Sequence, residues 1–293
     1  MLEERSLEGR EVYQKHEYTP QHISMHDASD QPRYTANMAE TTNTTPSGAS
    51  IQMSPKKLFS CAATHIGHVR KINEDAFLDA REQNLWVVAD GMGGHSRGDR
   101  ASQTIIEQLQ AFQAKATAQE SVDDLLARIN AANTICRQLA QGKVMGSTVA
   151  ALYLHDDEAY ILWAGDSRVY RHRRGEFAQL SDDHSLVQEL HRLGELTAEE
   201  AENHPSANVI TRAVGVSDDV DVQVRKVNVQ AGDRFLLCSD GMFKDVKPSE
   251  VSANLALSSP RQAMDRMVKL ALKRGGTDNV TAVVLQIPAG AAQ

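Results

Sequence analysis

The stretch Leu85-Trp86-Val87-Val88-Ala89-Asp90-Gly91-Met92-Gly93-Gly94 decides how this chain folds. An apolar run of this length reads as a buried strand, and the Asp-Gly that ends it is a sharp turn at the rim of a sheet. The pattern recurs where Tyr160-Ile161-Leu162-Trp163-Ala164 leads into Gly165-Asp166-Ser167-Arg168, and where Phe235-Leu236-Leu237-Cys238 leads into Ser239-Asp240-Gly241. Two more acidic patches, Asn73-Glu74-Asp75 and Gly276-Thr277-Asp278-Asn279, adjoin strand-like segments. Any one Asp-Gly is most simply a turn. Carboxylates converging from several strand ends would repel one another unless cations sat between them. Oxygen donors without His or Cys clusters favour magnesium or manganese over zinc.

Outward from these patches the chain alternates between strand and helix patterns. Strands are expected at 58–64, 76–79, 148–153, 159–164, 168–173, 176–180, 220–229, 234–238 and 279–286, besides the run ending at Asp90. Amphipathic helices are expected at 99–115 and 122–141. In the second, Leu125, Leu126, Ile129, Ala132, Ile135, Cys136 and Leu139 form one apolar face. Short helical pieces fill 184–203, and helices with Pro at or near the first turn are expected at 248–256 and 260–273. Consecutive strands joined by short turns imply antiparallel sheets, and helices arriving in pairs imply cover on the outside. The expected class is α+β: a four-layer α-β-β-α sandwich of two antiparallel sheets packed face to face, flanked by helix pairs. Trp86 and Trp163 fall inside strand runs and are expected in the core. Gly146-Ser147-Thr148 reads as close sheet packing, since no base is spaced to activate the serine.

Residues 1–54 are polar, with a Thr41-Thr42-Asn43-Thr44-Thr45-Pro46-Ser47-Gly48 linker composition, and read as a disordered or flexible extension before a domain at 55–290. The net charge of −8 argues against nonspecific nucleic-acid binding and against an anionic membrane surface. No run of about 18 apolar residues spans a bilayer, and the N-terminus lacks the apolar core of a signal peptide. Cys61, Cys136 and Cys238 are scattered without CxxC spacing and read as buried free thiols. A cytoplasmic monomer is expected.

Seven motifs in order now carry a resemblance: Arg70-Lys71-Ile72-Asn73-Glu74-Asp75, Asp90-Gly91-Met92-Gly93-Gly94-His95, Gly146-Ser147-Thr148, Gly165-Asp166-Ser167-Arg168, Asp183-His184-Ser185, Cys238-Ser239-Asp240-Gly241, and Gly276-Thr277-Asp278-Asn279-Val280-Thr281. From about residue 58 to 287 the chain resembles the metal-dependent serine/threonine protein phosphatases of the PPM, or type 2C, family in their compact bacterial form. The resemblance implies hydrolysis of phosphoserine and phosphothreonine by direct attack of a water between two metal ions, with two or three Mn²⁺ or Mg²⁺ ions per chain. By position it makes Asp90 the bridging ligand, with the Gly91 carbonyl on one ion. Asp240 and Asp278 would hold the first metal and Glu74 the second, with Asp75 supporting them. Asp166 together with Asp240 would hold a third. Arg70 matches the arginine that grips the substrate phosphate, a role suited to its planar fork, and Asn279 would order its loop.

Where eukaryotic members carry a histidine two residues after the bridging Asp, this chain has Met92. A metal-bound water or His95 is then left to protonate the leaving group, and His95 reads first as a surface-loop residue. His184 reads as a turn or supporting residue. Residues 185–208 correspond to the flap of bacterial members, charged here by Glu189, His191, Arg192, Glu195, Glu199, Glu200 and Glu202. The implied partners are phosphoproteins, a bacterial Ser/Thr kinase and its forkhead-associated substrate. Two other functions compete. A phosphoprotein-binding scaffold is disfavoured because every expected ligand is present. A partner-switching phosphatase is disfavoured because the leading segment is too short and polar for a sensor domain.

Overall fold

The computed structural model describes residues 13–14, 33–36, 58–93 and 97–288. One sheet runs in the order β10 (Glu176–Gln179), β9 (Arg168–Arg173), β13 (Arg234–Cys238), β14 (Val280–Gln286), β3 (Phe59–His65) and β2 (Arg33–Ala36). The other runs β12 (Gln223–Asn228), β8 (Glu158–Ala164), β7 (Val149–His155), β5 (Leu85–Met92) and β4 (Asp75–Ala80), with the short β6 (Gly146–Ser147) on the end of β5. Every pairing in both sheets is antiparallel.

The apolar runs are continuous because each central strand is covered on both faces. Along β5, Leu85, Val87 and Ala89 meet Ile105, Leu109, Leu125 and Ile129 from α1 (Gly98–Gln110) and α2 (Ala118–Ala140). Between them, Trp86 and Val88 turn to Phe235, Leu237, Val283 and Leu285 of the facing sheet. On β13, Leu236 and Cys238 point outward to Met242, Val251, Leu255, Met264 and Met267. Those come from α5 (Asp240–Phe243), α6 (Pro248–Leu255) and α7 (Pro260–Lys273). Alternate residues of a strand face opposite ways, so three packed clusters make four layers. The expected four-layer α-β-β-α sandwich is the fold observed. Trp86 and Trp163 both lie in the inter-sheet core.

Two helix boundaries differ from expectation. α1 stops at Gln110, and Phe112 folds back, fully buried, among the core residues of α1 and α2. α2 begins four residues early because Thr117 and Glu120 form a reciprocal capping box. The thiols of Cys61, Cys136 and Cys238 are free and buried, as expected.

From the leading segment, β1 (Tyr13–Gln14) pairs with β11 (Val209–Ile210), and Arg33–Ala36 adds to the outer edge of β3. Residues 185–208, expected to form the flap, carry α3 (Leu186–Arg192) and α4 (Ala198–Glu202), capped by Ser185 and Thr197.

Candidate metal centre

Strand register assembles the acidic group. Asp75 and Asp90 stand directly opposite each other across β4 and β5. Two like charges so placed repel. Asp240 opens α5 at the end of β13, and Asp278 immediately precedes Asn279 and β14, the neighbouring strand. Asp90 and Asp240 are buried, at 8% and 1% exposure.

The backbone around these carboxylates is held by side chains of the same motifs. Ser239 Oγ donates to Asp75 Oδ2 at 2.8 Å and accepts from the Thr281 N–H at 3.0 Å. Thr148 Oγ1 accepts from the Asp90 N–H at 3.0 Å, which gives the Gly-Ser-Thr motif its structural role. The Gly98 N–H donates to Glu74 Oε1 at 3.2 Å. Asn279 joins two motifs: its Oδ1 accepts from the Glu74 N–H at 2.8 Å, and its Nδ2 donates to the carbonyls of Ile66 and Ile72 at 2.8 and 3.1 Å. The loop carrying Arg70 and Glu74 is thereby fixed to the strand that follows Asp278.

Two glycines are required by close approach. A Cβ on Gly91 would stand 2.0 Å from the Gly98 carbonyl oxygen and 2.6 Å from that of Glu74. On Gly241 it would stand 2.0 Å from the Asn279 carbonyl oxygen. Real side chains do not approach so closely, so the backbone runs meet here only because both positions lack Cβ.

Electrostatics ties the group together. Burial pushes the Asp75 carboxyl up to about 7, helped by the charges of Asp278 and Asp240 and opposed by hydrogen bonds from Ser239 and Thr281. Burial likewise raises Glu74, with Asp99 and Asp278 adding to it and Arg70 opposing. Arg70 loses solvation, but Asp278, Asp240 and Asp90 more than offset that and strengthen its charge. Its Nη2 lies 2.9 Å from Asp278 Oδ2. The expected residues Arg70, Glu74, Asp75, Asp90, Gly91, Asp240 and Asp278 thus share one end of the sandwich. Among the described residues, no three Asp, Glu, His or Cys side chains are drawn together closely enough to hold an ion as they stand. Cations of the chain itself stand among them instead.

Asp166 is buried after β8, on the flap side, and its charge bears on Asp183. Asp183 is clasped by Arg168, whose Nε and Nη2 approach it at 2.9 and 2.7 Å and whose guanidinium lies 3.6 Å above the Phe243 ring. His184 is a supporting residue: its ring stacks on Trp163, and its Nδ1 accepts from the Gly165 N–H at 3.2 Å. Burial lowers its pKa to about 4, and Arg212 adds to the effect. Met92 packs against Ile210 and Ala213 in an apolar cluster. His95 lies outside the described residues.

Lys244 was not among the expected residues. Its signal was present in the sequence, four residues after Asp240 on one helical turn.

Residues 63–282 match the family model described as Protein phosphatase 2C. The serine/threonine protein phosphatase PstP of Mycobacterium tuberculosis is 36% identical over 230 residues, covering 75% of this chain and 43% of that protein. The chain therefore spans less than half of that relative's length. Serine/threonine phosphatase stp of Listeria monocytogenes is 35% identical over 237 residues, covering 76% of this chain and 93% of that protein. Among solved structures, PppA, described as a key regulatory component of T6SS in Pseudomonas aeruginosa, has a TM-score of 0.73 and 43% identity, covering 78% of this chain and 96% of that one. The catalytic domain of PstP in complex with 2 manganese ions has a TM-score of 0.72 and 32% identity, covering 79% and 98%. This chain belongs to the protein phosphatase 2C family, the metal-dependent protein serine/threonine phosphatases of PPM type.

Proposed function

We propose that this chain hydrolyses phosphoserine and phosphothreonine in proteins by direct attack of water, dependent on Mn²⁺ or Mg²⁺. The observation that carries the reading is the facing pair Asp75 and Asp90, with Asp240 and Asp278 brought to the same end of the sheets. So much negative charge, partly desolvated, calls for cations. The donor set fits a hard divalent ion: it is all oxygen, and the glycines at 91 and 241 let the backbone close around it. Asp90, the Gly91 carbonyl, Asp240, Asp278 and Glu74 would hold two ions with Asp75 behind them, and Asp166 with Asp240 would hold a third. Bound there, the ions would supply an acidified water and offset the charge of the phosphate.

The chain's own groups do the rest. Arg70 would exchange Asp278 for the substrate phosphate and orient it. A thiol route is disfavoured, since burial pushes Cys61 and Cys238 up to about 12 and Cys136 up to about 11. Met92, in its apolar cluster, offers no proton to the leaving group. We read the protein as a cytoplasmic monomer that opposes a bacterial Ser/Thr kinase. Among the described residues, no helix is long and apolar enough to cross a membrane.

A second reading concerns the setting. The 43% identity with PppA, over 96% of that chain, favours a regulatory role in T6SS, with a phosphoprotein of that system as substrate under the phosphatase reading proposed here. Loss of the gene should then leave components of that system hyperphosphorylated.

The chelator-treated chain is to be assayed on p-nitrophenyl phosphate and a phosphothreonine peptide with Mg²⁺, Mn²⁺ and Ca²⁺. Turnover restored by Mn²⁺ or Mg²⁺ supports the reading. A folded chain inactive with every metal overturns it in favour of a phosphoprotein-binding role.

A further inference from the structure

We propose that Lys244 is a resident counter-cation of the acidic centre and competes with the first divalent ion for Asp240, an inference that rests on the metallophosphatase reading. The Lys244 N–H donates to the Asp240 carbonyl at 2.9 Å, so the two residues sit one helical turn apart and share a face. Lys244 Nζ lies 2.8 Å from Asp240 Oδ2 and 3.9 Å from Asp278 Oδ2. Arg70 holds that same Asp278 oxygen from another element at 2.9 Å. Two side-chain cations therefore stand on the two carboxylates assigned to one metal.

This is not an ordinary surface pair. The side chain of Asp240 is 1% exposed and that of Lys244 is 33% exposed, so the ammonium reaches inward from the solvent edge to a buried carboxylate. A buried carboxylate without a cation is costly, which gives the lysine a role before an ion arrives. Its ammonium is a hydrated point charge on a flexible stem, able to swing back to water. Asp240 and Asp278 would hold the first divalent ion, and the ammonium on the Asp240 carboxylate would compete with that ion for its negative charge. Arg70, a rigid fork, is left to meet the phosphate, while Lys244 sets how tightly the first ion is held.

Mn²⁺ binding to the full chain by electron paramagnetic resonance, with thermal melts in chelator and in saturating Mn²⁺, tests this in parent, Lys244→Gln and Lys244→Arg. Lys244→Gln should bind the first ion about fivefold more tightly, as expected when a partly exposed ion pair no longer has to be broken. It should melt below the parent in chelator and with the parent in Mn²⁺. Lys244→Arg should restore the parent's affinity. Unchanged or weaker binding by Lys244→Gln overturns the proposal, and so does an equal loss of stability with and without Mn²⁺, which marks a merely structural lysine. A parent chain that binds no Mn²⁺ overturns the metallophosphatase reading itself, and is told apart because the failure precedes any variant.

Discussion

Asn279→Ala should unfasten the metal centre without touching a metal ligand. Asn279 is 4% exposed and makes three side-chain hydrogen bonds, to the Glu74 N–H and the carbonyls of Ile66 and Ile72. Each such bond contributes about 1 kcal/mol net, and a buried partner left unsatisfied costs about 1–3 kcal/mol. Ile72 is 38% exposed, so water can replace its bond. The other two partners dominate, for a total loss of about 3 kcal/mol. For a domain of this size that lowers the melting temperature by about 6–12 °C. The freed segment carries Arg70 and Glu74, so KM for p-nitrophenyl phosphate should rise and Mn²⁺ binding should weaken together. Circular-dichroism melts, steady-state kinetics and a Mn²⁺ titration read all three. A variant melting within a degree of the parent, with KM unchanged, would refute the role given to Asn279.

Three further outcomes are expected. Arg70→Ala should raise KM at least about tenfold, the worth of a charge-assisted contact, and should tighten Mn²⁺ binding by no more than a few-fold, as Asp278 is freed of its ion pair; parallel losses of both would make Arg70 structural. Gly91→Ala places a methyl 2.0 Å from a backbone oxygen, and should cost about 3 kcal/mol or prevent folding, read from soluble yield and a melt. His184 sets an acid limb. Its folded pKa of about 4 lies below the ordinary 6.5, so the unfolded chain takes up the proton first. The stability it contributes is whole above pH 6.5 and falls as pH drops toward 4, by about 3 kcal/mol in all. His184→Gln should flatten that limb in urea unfolding against pH, and an unchanged limb would assign it to other groups.

The layers were legible because apolar runs such as 85–89 and 235–238 are covered on both faces, and because their ends are punctuated by Asp-Gly. The acidic motifs stood out because Glu74, Asp90, Asp166, Asp240 and Asp278 lie at or beside strand ends. Contacts that depend on register were not. Nothing local in the chain says that Asp75 faces Asp90, or that the amide of Asn279 bonds the segment 66–74. The backbone pairings of 13–14 and 33–36 were missed because those stretches are short and set in polar sequence. The early start of α2 was missed although Thr117 and Glu120 carry the spacing of a capping box. Lys244 was passed over for a different reason, since a lone lysine reads as a solvated residue until its carboxylate partner is known to be buried.

The most direct test of the central claim is the number of Mn²⁺ ions bound per chain, measured by electron paramagnetic resonance alongside phosphothreonine-peptide turnover, in the parent and in Asp240→Asn. The account predicts at least two ions in the parent, turnover that rises with occupancy, and loss of an ion together with activity in the variant. Full turnover by chelator-stripped protein, or an Asp240→Asn chain that keeps every ion and its activity, would contradict it.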